Sequence, residues 1–229
     1  MCSKSENFYA KKLNSQKLYQ VYDTGIPRVR QYLNGEIDFI RQRLRKTEKV
    51  LEIGAGYGRI LKELSPWAQS FLGIDISADS VEFGKEYLKE FSNIRLEVTD
   101  AHKLELEEEF DVVLCLQNGL SALKGNAQNL VNICVKALRK GGSAYFSTYS
   151  SKFWNYRLAW FLEQADKGLL AGIDKDQSRD GVIVCEDGFR AVTFTEKDFV
   201  SLGEASGNKF EIQEADESSL FLIITKNQL

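Results

Sequence analysis

A chain of 229 residues, 43% hydrophobic and 28% charged, is long enough to bury one substantial core and has the balance of an ordinary soluble domain. A net charge of −3 gives no electrostatic footprint for nucleic acid, and no apolar run reaches the length of a bilayer span or of a signal-peptide core. Four widely separated cysteines, Cys2, Cys115, Cys134 and Cys185, show neither metal-ligand spacing nor disulfide-rich character, so a reducing cytoplasm is the expected location.

Residues 1–47 read as a helical cap. The first 26 are polar and punctuated by Phe8, Tyr9, Tyr19 and Tyr22. A helix follows from Pro27, with Val29, Leu33, Ile37, Ile40 and Leu44 at helical spacing. Pro27 suits the first turn, and Gly35 costs about 1 kcal/mol inside the pattern. The stretch from Arg28 to Lys49 is locally basic, but Glu36, Asp38 and Glu48 interleave it, and it reads as a solvated helix face.

Strands and helices then alternate. The predicted strands are 49–53, 70–74, 94–98, 111–116 and 143–148; the predicted helices are 58–64, 78–91 and 127–139, the last stopped by Gly141-Gly142. Short apolar strands joined through helices imply an α/β fold with a largely parallel sheet covered on both faces. Residues 150–194 read as an insertion within a single 1–229 domain: an aromatic-rich helical run at 153–165, then a hairpin with Asp187-Gly188 as its two-residue turn. The aromatic run is expected to lie over the carboxyl end of the sheet as a lid. A helix near 196–205 and an antiparallel strand pair close the chain.

The stretch "VLEIGAGYGRI", residues 50–60, places three glycines between a strand and a helix, where open α/β sheets bind ligands. A dinucleotide loop of G-x-G-x-x-G form needs a third glycine at position 59, which is Arg59. Glu52, two residues before Gly54, would repel a pyrophosphate and attract an ammonium or sulfonium group. Asp75, nineteen residues after Gly56, suits the hydroxyls of a ribose and does not by itself choose between cofactors.

"LEIGAGYG" resembles the first motif of class I S-adenosylmethionine-dependent methyltransferases, an acidic residue followed by G-x-G-x-G. The resemblance is close over roughly 48–148 and looser over the closing strands. It implies a Rossmann-like, doubly wound, seven-stranded, mostly parallel sheet whose last strand is antiparallel. It also implies S-adenosyl-L-methionine as cofactor and S-adenosyl-L-homocysteine as product. Glu52, Gly54, Ala55, Gly56, Tyr57, Asp75 and Ile76 would hold the cofactor, with Asp100 and Ala101 of "LEVTDA" at the adenine and Gln117 of "CLQNGLSAL" near the methyl group.

The acceptor is less legible. No metal-ligand cluster and no N/D-P-P-Y signature is present, and "QNGLSAL" only faintly resembles the Gly-Asn-Ser stretch of glycine and sarcosine N-methyltransferases. The expected reaction is transfer to a small molecule, at nitrogen in preference to oxygen or sulfur, with no assigned general base; His102, the single histidine, is expected on the surface or near the adenine. Candidate substrate-facing residues are Tyr22, Arg30, Asn118, Tyr149 and Arg190. An RNA or protein methyltransferase using the basic helix is the alternative, with a nicotinamide-dependent reductase or a catalytically silent nucleoside-binding module behind it. The oligomeric state is not legible.

Overall fold

Five strands rich in branched aliphatic residues set the frame of the computed structural model, which describes residues 12–228. Cys2, Phe8 and Tyr9 lie outside the described residues. Strands β1 (Lys49–Ile53), β2 (Ser70–Asp75), β3 (Ile94–Val98), β4 (Phe110–Cys115) and β5 (Leu138–Tyr149) pair in parallel, and β8 (Lys209–Ala215) and β9 (Ser219–Thr225) complete the sheet. Its order is β3-β2-β1-β4-β5-β9-β8. The last strand in sequence, β9, lies between β5 and β8 and runs antiparallel to both, so β8 forms the outer edge.

Helices cover both faces. On one side lie α2 (Pro27–Arg41), α3 (Arg59–Leu64) and α4 (Ala78–Tyr87), packed on Val50, Phe71, Leu114 and Phe221. After the short α5 (Gly119–Ala122), α6 (Ala127–Ala137) and α8 (Glu196–Ala205) lie on the other, packed on Leu51, Val113, Phe146 and Leu222. Helix starts follow side-chain caps: Ser77 accepts from Ser80 N before α4, and Thr195 and Asp198 form a reciprocal capping box before α8. Among the described residues no helix is long and apolar enough to cross a membrane.

A third apolar cluster roofs the carboxyl ends of the strands. It joins α1 (Ser15–Tyr22) and α2 to α7 (Trp154–Asp166) and to the hairpin of β6 (Val182–Val184) and β7 (Arg190–Val192) through Val21, Tyr32, Tyr149, Trp160, Phe161 and Ile183. Arg28 and Gln31 of α2 clasp Asp216 in the β8–β9 turn at 2.7 and 2.6 Å, and a Cβ on Gly35 would come within 3.3 Å of the Asp216 Cβ. Close approach to that turn accounts for the glycine inside the helix.

Four expectations need correction. Helix α4 ends at Tyr87 rather than residue 91. Helix α6 ends at Ala137 because the chain enters β5 directly at Leu138; Gly141-Gly142 sits inside that strand, at the shift in its pairing with β4. The hairpin turn centres on Glu186-Asp187, with Gly188 N bonded to Cys185 O and Gly188 itself left-handed (φ 85°), a turn-plus-bulge form rather than a two-residue Asp-Gly turn. Glu36 is not on a solvated face: it is 1% exposed.

Candidate active site

The glycine loop is folded by backbone bonds to the neighbouring strand: Gly54 N and Ala55 N both donate to Ile74 O, at 2.8 and 3.0 Å. Gly54, Gly56 and Gly58 have φ of 72°, 56° and 82°, the region that other residues enter at a cost of roughly 1–2 kcal/mol each. A Cβ on Gly56 would stand 2.8 Å from Leu18 Cδ2 in α1, so the loop lies directly against the cap helix. Asp75 closes the loop from the end of β2, Oδ2 accepting from Gly56 N at 2.9 Å and Oδ1 from Ser77 N at 2.8 Å. Burial raises its pKa against those two bonds. Each of its oxygens keeps a lone pair for a further donor.

A cavity opens above this loop, walled by the strand ends, α1, α7 and the turn after β4. Three polar side chains in its wall carry buried atoms without a hydrogen-bond partner: Glu52 Oε2, Arg59 Nε and Nη2, and Gln117 Nε2. Buried polar groups are almost always satisfied, and an unsatisfied charged one is costly. Three in one wall, acid, base and amide, mark a place built for a ligand that carries their partners. Burial pushes the Glu52 carboxyl up to about 8, with Arg59 opposing and Asp75 adding to the shift. The Arg59 guanidinium lies 4.4 Å from the ring centroid of Tyr22, which burial pushes up to about 12. The lining also includes aromatic and amide side chains: Tyr22, Tyr149, Trp160, Phe161, Gln117 and Gln164. Trp160 Nε1 is committed to Val21 O at 3.0 Å, leaving the indole as an apolar wall.

Residues 50–142 match the family model described as a methyltransferase domain. Over that span the chain is similar to methyltransferase domains. A ubiquinone biosynthesis O-methyltransferase of Hydrogenovibrio crunogenus is 26% identical over 132 residues, covering 56% of this chain and 54% of that protein. The chain spans about half the length of the curated relatives it matches. The PH0226 protein of Pyrococcus horikoshii superposes with a TM-score of 0.69 at 19% identity, covering 92% of this chain and 99% of that one. The 1,6-didemethyltoxoflavin-N1-methyltransferase of Burkholderia thailandensis, solved with its substrate and S-adenosylhomocysteine, superposes with a TM-score of 0.62 at 15% identity, covering 93% and 87%. These two likenesses establish the fold.

The sequence-predicted residues divide. Glu52, Gly54, Ala55, Gly56, Tyr57, Asp75, Ile76, Gln117, Tyr22 and Tyr149 share the one cavity. Asp100 and Ala101 do not line it. They stand at the next strand end, where Thr99 N bonds to Asp75 O at 2.9 Å; the Asp100 carboxylate accepts from His102 N, and Ala101 packs into the core. Three acceptor candidates fall away from the cavity. Arg30 and Arg190 are exposed, and Asn118 is buried with its side chain spent on Val192 O (2.8 Å) and the Thr148 hydroxyl (2.9 Å). His102 also lies outside it, with Nε2 against Lys124 O at 2.9 Å.

Sequence reasoning registered Arg59 only as a missing glycine and did not foresee that its guanidinium lines the cavity. Gln164 was likewise missed, although it follows Trp160 by one helical turn. Leu18 stands against the loop because α1 folds back over it, which no local pattern announces.

Proposed function

We propose that this chain is an S-adenosylmethionine-dependent methyltransferase acting on a small-molecule acceptor at nitrogen. The observation that carries the reading is the set of unpartnered Glu52 and Arg59 atoms facing one cavity beside the glycine loop. An acid and a base there match the ammonium and carboxylate of an amino-acid moiety, and the acid also suits a sulfonium. Asp75, with its spare lone pairs, suits the ribose hydroxyls, Gly54 to Gly56 and Tyr57 the close backbone approach, Ile76 the rim, and Asp100 and Ala101 the adenine edge. When bound, the cofactor supplies an electrophilic methyl group.

The chain's own residues then have three tasks: to orient the acceptor, to exclude water and to stabilise charge. The roof, which we read as a cap (1–47) and a lid (150–194), supplies aromatic faces that suit an amine and the positive charge it gains on methylation. A neutral amine needs no strong base, in keeping with the aromatic and amide side chains of the lining. A small acceptor fits better than RNA or protein because several basic residues of the stretch 28–49 are engaged locally: Arg28 with Asp216 and the Phe153 ring, Arg41 with Asp38 and Trp67, Arg43 with Gln213 and Phe39. A cytoplasmic location belongs to the same proposal.

Calorimetry with S-adenosylhomocysteine and NADH tests the cofactor: we expect the first to bind and the second not to compete with it. Tight NADH binding alone would overturn the reading. A panel of small amines, phenols and thiols, scored by S-adenosylhomocysteine release, tests the acceptor; phenols belong in it because the curated relatives are named O-methyltransferases. Release driven by phenols and not by amines would remove nitrogen.

A further inference from the structure

Glu36 is a buried acid that does not line the cavity. It faces the sheet from the middle of α2, and its Oε1 accepts from the Ser219 hydroxyl at 2.9 Å. Its Oε2 accepts at 3.2 Å from Gln117 N, which also reaches the Ser147 hydroxyl at 2.7 Å. These partners come from the start of β9, from β5 and from the turn after β4, three segments distant in sequence. A carboxylate in such a place costs several kcal/mol relative to an apolar side chain of the same shape, unless its bonds hold something an apolar group cannot.

What it holds is a strained turn. Gln117 and Asn118 are consecutive non-glycine residues at φ 54° and 62°. Such strain persists only where surroundings over-determine it. Here Asn118 N bonds to Ser147 O, the Asn118 side chain is tied on both sides, and Glu36 and the Ser147 hydroxyl share the Gln117 amide. The turn places the Gln117 side chain in the cavity wall with its Nε2 unpartnered.

We propose that Glu36 is a positioning residue of the transfer site: through the Gln117 amide it fixes the Gln117–Asn118 turn and so sets the donor that the cavity offers to the methyl acceptor. The functional half of this rests on reading the cavity as the transfer site; the structural half does not. The groups facing Glu36 are Tyr32 on its own helix, Tyr22 from α1, Arg59 from α3, Gln117 after β4, Tyr149 and Ser147 from β5, and Ser219 from β9. Burial pushes the Glu36 carboxyl up to about 7, against hydrogen bonds from Ser147, Ser219 and Gln117 and the charge of Arg59. The grip on Gln117 therefore tightens as pH rises through neutrality.

The test is a pH titration of the ligand-free protein by 15N NMR, following the Gln117 amide, with S-adenosylhomocysteine calorimetry alongside. In the unmodified protein the Gln117 resonance moves with a midpoint near pH 7. In Glu36→Gln the midpoint vanishes, because no titrating carboxyl remains on the Gln117 amide. Ser219→Ala keeps the carboxylate and removes one donor, so it moves the Gln117 midpoint upward; it decides the matter if Glu36→Gln does not fold. A Gln117 midpoint that survives Glu36→Gln, or is unmoved in Ser219→Ala, overturns the proposal. Failure of the unmodified protein to bind S-adenosylhomocysteine overturns the cofactor reading instead and leaves the Gln117 titration standing.

Discussion

At Glu52 and Arg59 the ligand's chemistry is written as missing partners. Both have buried, unpaired atoms in one wall, and the ligand proposed for them carries the complementary ammonium and carboxylate. Glu52→Gln and Arg59→Gln are each expected to weaken S-adenosylhomocysteine binding about ten- to a hundredfold, the worth of one hydrogen bond between charged groups. Methylthioadenosine, which lacks the amino-acid end, should bind both variants as it binds the unmodified protein. Equal losses for the two ligands in calorimetry would place these side chains elsewhere on the nucleoside. Glu52 also makes binding depend on pH. With its carboxyl near 8 in the ligand-free protein, it is mostly protonated at pH 6, and a cationic ligand favours the ionised form. Affinity should therefore rise from pH 6 to 8, with protons released on binding, and Glu52→Gln should flatten the trend. Calorimetry in buffers of different ionisation enthalpy reads the proton count directly.

The elements that carry the cofactor half were legible because local pattern and tertiary role coincide there. Strands β1 and β3 keep the bounds predicted from their short apolar runs, 49–53 and 94–98, and the three glycines adopt the positive φ that only glycine takes cheaply. Legibility failed where a contact joins distant segments. Glu36 occupies the apolar stripe of α2, one turn after Leu33, yet in sequence it looks like one charge among several; only the arrival of Ser219 and Gln117 makes it a buried acceptor. Arg30 and Arg190 failed in the opposite sense, charges near the right elements on the outward side. The packing of α4 against the glycine loop is of the same hidden kind. A Cβ on Gly84 would stand 2.9 Å from Tyr57 O and 3.0 Å from Tyr57 Cα, backbone that cannot swing away. Gly84→Ala should destabilise the protein by about 1–3 kcal/mol. Because the displaced backbone belongs to the glycine loop, it should also weaken S-adenosylhomocysteine binding. Thermal melts and calorimetry on the same samples check both, and a variant that melts lower with unchanged affinity would show that the loop absorbs the shift.

For the whole molecule, the two buried carboxyls set how stability follows pH. Glu36 and Glu52 are raised from an ordinary 4.5 to about 7 and about 8, so between those values the folded chain holds protons that the unfolded chain has released. Stability then falls as pH rises, beginning above 4.5 and finishing once both folded values are passed. Carboxylates shifted the other way, such as Glu214 held down by its bonds to Lys152 and Ser150, lose their contribution only at more acidic pH and leave this window alone. The ligand-free protein is therefore expected to melt at a lower temperature at pH 8 than at pH 6. Saturating S-adenosylhomocysteine should shrink that difference, because its ammonium compensates the ionised Glu52. The double variant Glu36→Gln, Glu52→Gln should remove most of it without any ligand. Melting curves at pH 6, 7 and 8 distinguish the two carboxyls: the Glu36 share of the fall is largely spent by pH 7, whereas the Glu52 share continues to pH 8, and only the latter answers to the ligand. A melting temperature that rises from pH 6 to 8 would mean that the buried carboxyls are already compensated in the free protein, and the cavity would then lack the unpaired charge on which its reading as a cation site depends.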